Sequence, residues 1–278
     1  VPLVRDGAHT AVMAAARAHA GDLEVARAAC YTMFYLAAAI DNCAPLVRDG
    51  AHTAVMAAAR AHSSDVEVTR LACGTLWNLA AAADTRVPLV RDGAHNALIV
   101  ASLTHVGDVE VARAACGALR NLTLAADNCV PLVRDGAHRA VMAAARAHAG
   151  DVEVARAACG TLRNLTVADD NRVPLVRDGA HTAMMAAARA HAADVEVARA
   201  ACGALVNLAI AAGNKVLLFR DNAHTTAMAA AHAHNGDVEV ARHVCAVLWG
   251  LSIADDNKVP LVRDGAHIAV MAAARAHV

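Results

Sequence analysis

The residues with chemistry to offer are histidine and cysteine, and both fall into columns. One column holds His9, His52, His95, His138, His181, His224 and His267; a second holds His19, His62, His105, His148, His191, His234 and His277. Members of a pair stand ten residues apart, about 15 Å along one helix. That is too far for one metal ion, which takes helical ligands at i, i+4 or in a tight cluster. His232 with His234 does not have helical ligand spacing either. A ladder of like groups should instead respond to pH, with a loss of stability or altered assembly between about pH 7 and 5 as neighbouring rungs charge.

Six of the eight cysteines form another column, Cys30, Cys73, Cys116, Cys159, Cys202 and Cys245. Equivalent positions on stacked helices lie roughly 8–10 Å apart, beyond the ~7 Å Cα limit for a disulfide. Buried, reduced thiols are expected. Every Asp, Glu and Cys that could enter a mechanism recurs in nearly every copy, as scaffold residues do, and no glycine-rich phosphate loop is present. The reading is non-enzymatic, with no catalytic residue, no metal and no cofactor.

Composition points the same way. The 278 residues carry 25 basic and 26 acidic side chains, a formal charge of −1, so no field steers the chain toward nucleic acid. The longest nearly uncharged run, AACYTMFYLAAAI at 28–40, falls short of the ~20 residues a membrane span needs. No leader is visible, and the chain reads as soluble and cytoplasmic or nuclear. Apolar residues make up 58% of the chain, yet Phe, Tyr and Trp number two each. Alanine supplies the bulk, which suits thin helical layers and a tight core.

These columns exist because the sequence repeats. PLVRDGAHTAVMAAARAH occupies 2–19 and returns at 45–62, and copies open at Val1, Ala44, Val87, Val130, Val173, Val216 and Val259, each 43 residues on. A fixed period of this size marks a solenoid. Each unit divides into three helical pieces. DNCVPLVRDG, 127–136, is a short helix with Asp127 or Asn128 as cap, Pro131 in its first turn and Gly136 at its end. AHRAVMAAARAHAG, 137–150, is an alanine-rich helix with His148 in the last turn. DVEVARAACGALRNLTLAA, 108–126, starts on the cap Asp108 with Glu110 in its first turn, and Val111, Ala115, Leu119 and Leu122 form its core stripe. No long alternation with period two suggests a strand.

A short helix, a second opening on Gly136-Ala137, and a third carrying Leu119-Arg120-Asn121-Leu122 resemble the armadillo repeat, over the whole chain. The resemblance implies an all-α, right-handed α–α superhelical solenoid of three-helix repeats, one array over 1–278. The seventh unit lacks its third helix. In that family the third helices line a concave groove that holds extended peptides or partner proteins.

If identical letters build the scaffold, differing letters mark function. On the third helix, Ala114, Gly117, Asn121 and Leu124 share the stripe away from Leu119, which is expected to face out. The asparagine column reads Tyr35, Asn78, Asn121, Asn164, Asn207, Gly250, and beside it run Phe34, Trp77, Arg120, Arg163, Val206 and Trp249. Tyr31 stands in a column otherwise Gly74, Gly117, Gly160, Gly203 and Ala246. In the family an asparagine at this place clasps the ligand backbone, and a side-chain amide has the donor and acceptor to do so. The glycines would let a ligand backbone or partner helix come close.

Arg113 and Arg156 have glutamates three residues earlier to pair with. Arg120 and Arg163 have none built in, which suits an acidic or phosphorylated ligand segment. The groove is therefore assigned to Tyr31, Phe34, Tyr35, Trp77, Asn78, Arg120, Asn121, Arg163, Asn164, Val206, Asn207 and Trp249, and the partner to a protein or extended peptide. The alternative is a structural array whose uncapped ends join copies into dimers or filaments. Drift such as NALIVASLTHV at 96–106 speaks for natural duplication over an engineered consensus.

Overall fold

Each third helix begins where an aspartate caps it. The Asp108 carboxylate accepts the Val111 N–H at 2.9 Å, and Asp22, Asp65, Asp151, Asp194 and Asp237 do the same one repeat apart. Each second helix begins after a left-handed residue: Gly7, Gly50, Gly93, Gly136, Gly179 and Gly265 have φ between 80° and 88°. Asn222 fills that place at φ 68° in one repeat, and asparagine tolerates this region better than most residues.

The structure, a computed structural model, describes residues 2–276; Val1, His277 and Val278 lie outside it. Among the described residues the chain is all-α, with three helices to the repeat and no strand. It divides into two compact units, Val1–His148 and Ala149–Val278. The first unit has third helices Leu23–Ala37, Val66–Leu79 and Val109–Leu122, and second helices Ala8–Ala18, Ala51–Ala61, Ala94–Thr104 and Ala137–Ala147. The second unit has third helices Val152–Leu165, Val195–Ile210 and Val238–Ser252, and second helices Ala180–Ala190, Ala223–Ala233 and Ala266–Ala276. Within each unit, third helices stack on third helices and second on second, in chain order.

The core stripe is where the pattern puts it: Val111, Ala115, Leu119 and Leu122 are buried, with Val141 and Met142 of a second helix. The cysteine column is buried too, apart from half-buried Cys245, and among the described residues no two cysteines form a disulfide. Burial pushes Cys30, Cys73, Cys116, Cys159 and Cys202 up to about 12, so they stay protonated and inert.

Three local expectations are corrected. The first helix Ala126–Arg134 starts after Ala125 with no side-chain cap. Asn128 instead reaches out of it to donate to the Leu122 carbonyl at 2.9 Å and the Arg86 carbonyl at 3.1 Å. Leu122 ends the third helix Val109–Leu122, where the last C=O groups lack helical partners, and the bond to Arg86 ties this first helix to the one before it. Pro131 is inside that helix rather than in its first turn, and so are Pro45, Pro174 and Pro260. The alanine-rich second helices also fail to close tightly. Openings of about 540 Å³ and 160 Å³ in the first unit, and 500 Å³ in the second, lie between neighbouring second helices.

Candidate functional site

Two charge ladders fix the spacing of the repeats. Arg27 donates to Asp65 at 2.7 Å, and Arg70, Arg156 and Arg199 reach Asp108, Asp194 and Asp237 in the same way. Each of these aspartates is the cap of the next third helix, so one carboxylate ends a helix and ties it to its neighbour. Arg199, helped by the Val240 N–H, pulls Asp237 down to about 2. The glutamates pair as their spacing implies, Glu110 with Arg113 at 2.8 Å and Glu153 with Arg156 at 2.7 Å.

The first histidine column forms the second ladder. His52 Nε2–H donates to Asp92 Oδ2 at 3.0 Å, and His9, His95, His181 and His224 bond Asp49, Asp135, Asp221 and Asp264 at 2.9–3.2 Å. The imidazoles are buried and their Nδ1 atoms have no hydrogen-bond partner among the described residues. Each aspartate is steadied by the arginine before it, as Arg48 does for Asp49 at 3.0 Å. The recurring letters RDGAH thus encode a junction: Arg holds Asp, Asp receives the previous repeat's His, and Gly turns the chain. The second column behaves differently. His62, His105, His148, His191 and His234 end second helices as C-caps.

On this frame the first unit presents one row of third-helix side chains. Tyr35 is 68% exposed, Trp77 43% and Tyr31 41%; Phe34 and Asn121 are half-buried and Arg120 is exposed. Tyr31 stacks on Tyr35 with centroids 6.4 Å apart, and Phe34 meets Tyr35 edge-on at 5.5 Å. The Tyr31 hydroxyl donates to Glu67 Oε1 at 2.6 Å, which raises the phenol pKa. The Arg120 guanidinium has no protein partner among the described residues.

The glycine column is occupied, not vacant. A Cβ on Gly74 would come within 2.7 Å of the Phe34 ring, and one on Gly117 within 2.7 Å of the Trp77 indole. Each ring of one repeat lies on the glycine of the next. Ala114 and Gly117, expected to face out, are consequently covered, while Leu124 is exposed. The asparagines are also engaged: Asn78 donates to the Phe34 carbonyl at 3.3 Å and Asn121 to the Trp77 carbonyl at 3.4 Å.

In the second unit Trp249 is 71% exposed, and Arg163, Asn164, Val206 and Asn207 are half-buried. Asn207 donates to Thr166 Oγ1 at 3.0 Å. Arg163 has a partner that local spacing could not reveal: it lies over Gly203 and its Nη2 stands 3.6 Å from Glu239. His243 packs against the same glycine. Burial, then the Arg163 charge, lowers its pKa. His243 escaped the sequence reading, although its column is otherwise Ala28, Leu71, Ala114, Ala157 and Ala200, and comparing that column would have found it.

Fold and face together define a tandem helical-repeat protein with a varied row of side chains on an otherwise copied frame. The family model described as the LRRK2 ARM repeat matches residues 94–270, more than half of the chain. The chain belongs to that armadillo-repeat family. No curated protein sequence matches it. Among solved structures, the crystal structure of an engineered protein matches with a TM-score of 0.74 at 19% identity, covering 88% of this chain and 97% of that one. Another comes from work on a phosphorylation switch controlling the interaction between cadherin and β-catenin. It matches at 16% identity with a TM-score of 0.41, over 91% of this chain and 66% of that one. The first of these likenesses is one of fold alone.

Proposed function

We propose that the chain is a non-enzymatic scaffold that binds a protein or extended peptide along the face of its third helices, with 1–278 acting as one array. The observation that carries this reading is the exposure of Tyr35, Trp77 and Trp249 on helices whose other letters are nearly copied. Large rings left in water at positions free to vary are what interfaces use as anchors. The unpaired Arg120 favours an acidic or phosphorylated segment beside Trp77, since a guanidinium binds carboxylate and phosphate in a forked geometry. Arg163, already facing Glu239, contributes less. The asparagines still offer their side-chain carbonyls to a ligand, as Oδ1 of Asn78, Asn121 and Asn207 has no protein partner among the described residues. The cytoplasm or nucleus is the proposed compartment.

The test is selection from a library of extended peptides that includes acidic and phosphorylated members. Enrichment of anionic sequences, lost with Arg120→Glu and with Trp77→Ala, is expected. Enrichment indifferent to both changes removes the proposal. Light scattering over a dilution series, without peptide, separates the end-joined alternative: a mass that grows with concentration favours it, a constant mass the scaffold.

A further inference from the structure

The drift at 96–106 finds no role on the third-helix face. It lies on the opposite element, the second helix Ala94–Thr104, and lines the opening of about 540 Å³ against the second helix Ala51–Ala61. Three residues of this opening stand at positions where every other copy has alanine: Thr69, Val100 and Thr104. Thr69 comes from one repeat and the other two from the next, so changes far apart in sequence converge on one cavity. The same junction one repeat earlier, lined by Ala16, Arg17, Ala20, Ala26, Ala54 and Ala57, encloses only about 160 Å³, whereas the corresponding opening of the second unit, with Ala241 and Ala272 in the places of Thr69 and Val100, encloses about 500 Å³; the changes therefore alter the wall of the cavity rather than create its space.

The floor and walls of the larger cavity are apolar, from Met56, Ala59, Ala97, Val100 and Ala101. Its polar rim is rich in unspent donors. Thr69 Oγ1 donates to the Asp65 carbonyl and accepts from His105 Nε2–H at 3.2 Å, so that pair is satisfied internally. Among the described residues, Arg60, Asn96 and Thr104 make no side-chain bond within the protein. The one carboxylate at the rim, Asp92, is already taken by Arg91 at 2.9 Å and by His52. Arg60 is therefore the uncompensated charge. An apolar slot of this volume with a few donors at one side is the form of a small-molecule site, and the free guanidinium selects an anion.

We propose that this cavity binds a single-chain amphipathic monoanion, an alkyl carboxylate, with its chain against Met56, Ala97 and Val100 and its carboxylate at Arg60. This site is independent of the peptide face. The probe is decanoate, below its micellar concentration, followed through the ¹³C-labelled methionine methyl groups of the full chain. A saturable shift of the Met56 methyl is expected, at least tenfold weaker with decanol, which lacks the charge. Arg60→Glu should weaken decanoate at least tenfold. So should the triple variant Thr69→Ala, Val100→Ala, Thr104→Ala, which restores the letters of the other repeats and should melt normally. No saturable shift at Met56, equal affinity for decanol, or undiminished affinity in either variant overturns the assignment.

Discussion

The Asn121 side-chain amide donates to the backbone carbonyl of Trp77, 44 residues earlier, across 3.4 Å. That carbonyl lies in the last turn of Val66–Leu79, where the helix has no N–H left to give it. Asn78 does the same for Phe34. The asparagine row is thus part of the stacking of repeats as well as of the exposed face.

Stability should register this. Asn121→Ala is expected to cost about 1 kcal/mol, the usual net worth of one such bond. Asn121→Asp should cost more, because it sets a carboxylate against a carbonyl oxygen. Urea unfolding gives both numbers; midpoints equal to wild type would show that the asparagine serves only a ligand.

Trp77 and Gly117 form a second pair across the same junction. A methyl at Gly117 must displace the indole, whose nearest atom lies 2.7 Å from where the Cβ would be. Gly117→Ala is expected to destabilise by about 1–3 kcal/mol. In a Trp249→Phe background it should also shift Trp77 emission to the red as the ring leaves its seat. Unaltered emission would mean that the ring does not rest there.

What could be read beforehand, and what could not, follows from sequence separation. Asp108 capping Val111, Gly136 turning the chain, and the stripe Val111, Ala115, Leu119, Leu122 are all set within a dozen residues, and pattern reveals them. Trp77 on Gly117, Arg163 beside Glu239 and His52 on Asp92 join residues in different repeats. A column comparison shows that such residues vary or persist, but not which neighbour they touch. Gly117 looks like room for a ligand in the sequence because its occupant, Trp77, stands forty positions away. The second-helix cavity was missed for the same reason: Thr69 and Val100 look like unrelated drift until the repeats are stacked.

The histidine–aspartate rungs give a third prediction. Asp135 receives both His95, at 3.0 Å, and Arg134, at 2.9 Å. Asp135→Ala leaves the buried His95 Nε2–H without an acceptor, and a loss of about 1–3 kcal/mol is expected. Asp135→Asn keeps an acceptor oxygen and should recover part of it. Thermal or urea unfolding of the two variants decides; equal loss in both would make the ion pair with Arg134 the important contact instead.

Acid should act in two stages, each with its own groups. Burial lowers the pKa of His224, which bonds Asp264 and stacks on Phe219 at 4.2 Å. Burial also lowers that of His243, which faces Arg163, Glu239, Arg242 and Asp237. A histidine whose pKa is lower folded than unfolded takes up its proton more readily in the unfolded chain. Its contribution is therefore whole above the ordinary histidine value of 6.5 and is lost as pH falls below it. The aspartates follow. Arg134 holds Asp135 below the usual carboxylate value, Arg48 does so for Asp49, and Asp237 lies at about 2. Their stabilisation is whole above about pH 4 and disappears as pH falls through their depressed values, Asp237 last. The urea midpoint should therefore drop between pH 7 and 5 and again below 4. His224→Gln combined with His243→Gln should flatten the first drop and spare the second. A wild-type midpoint constant from pH 7 to 5 would show that these two rings lose nothing by being protonated in place.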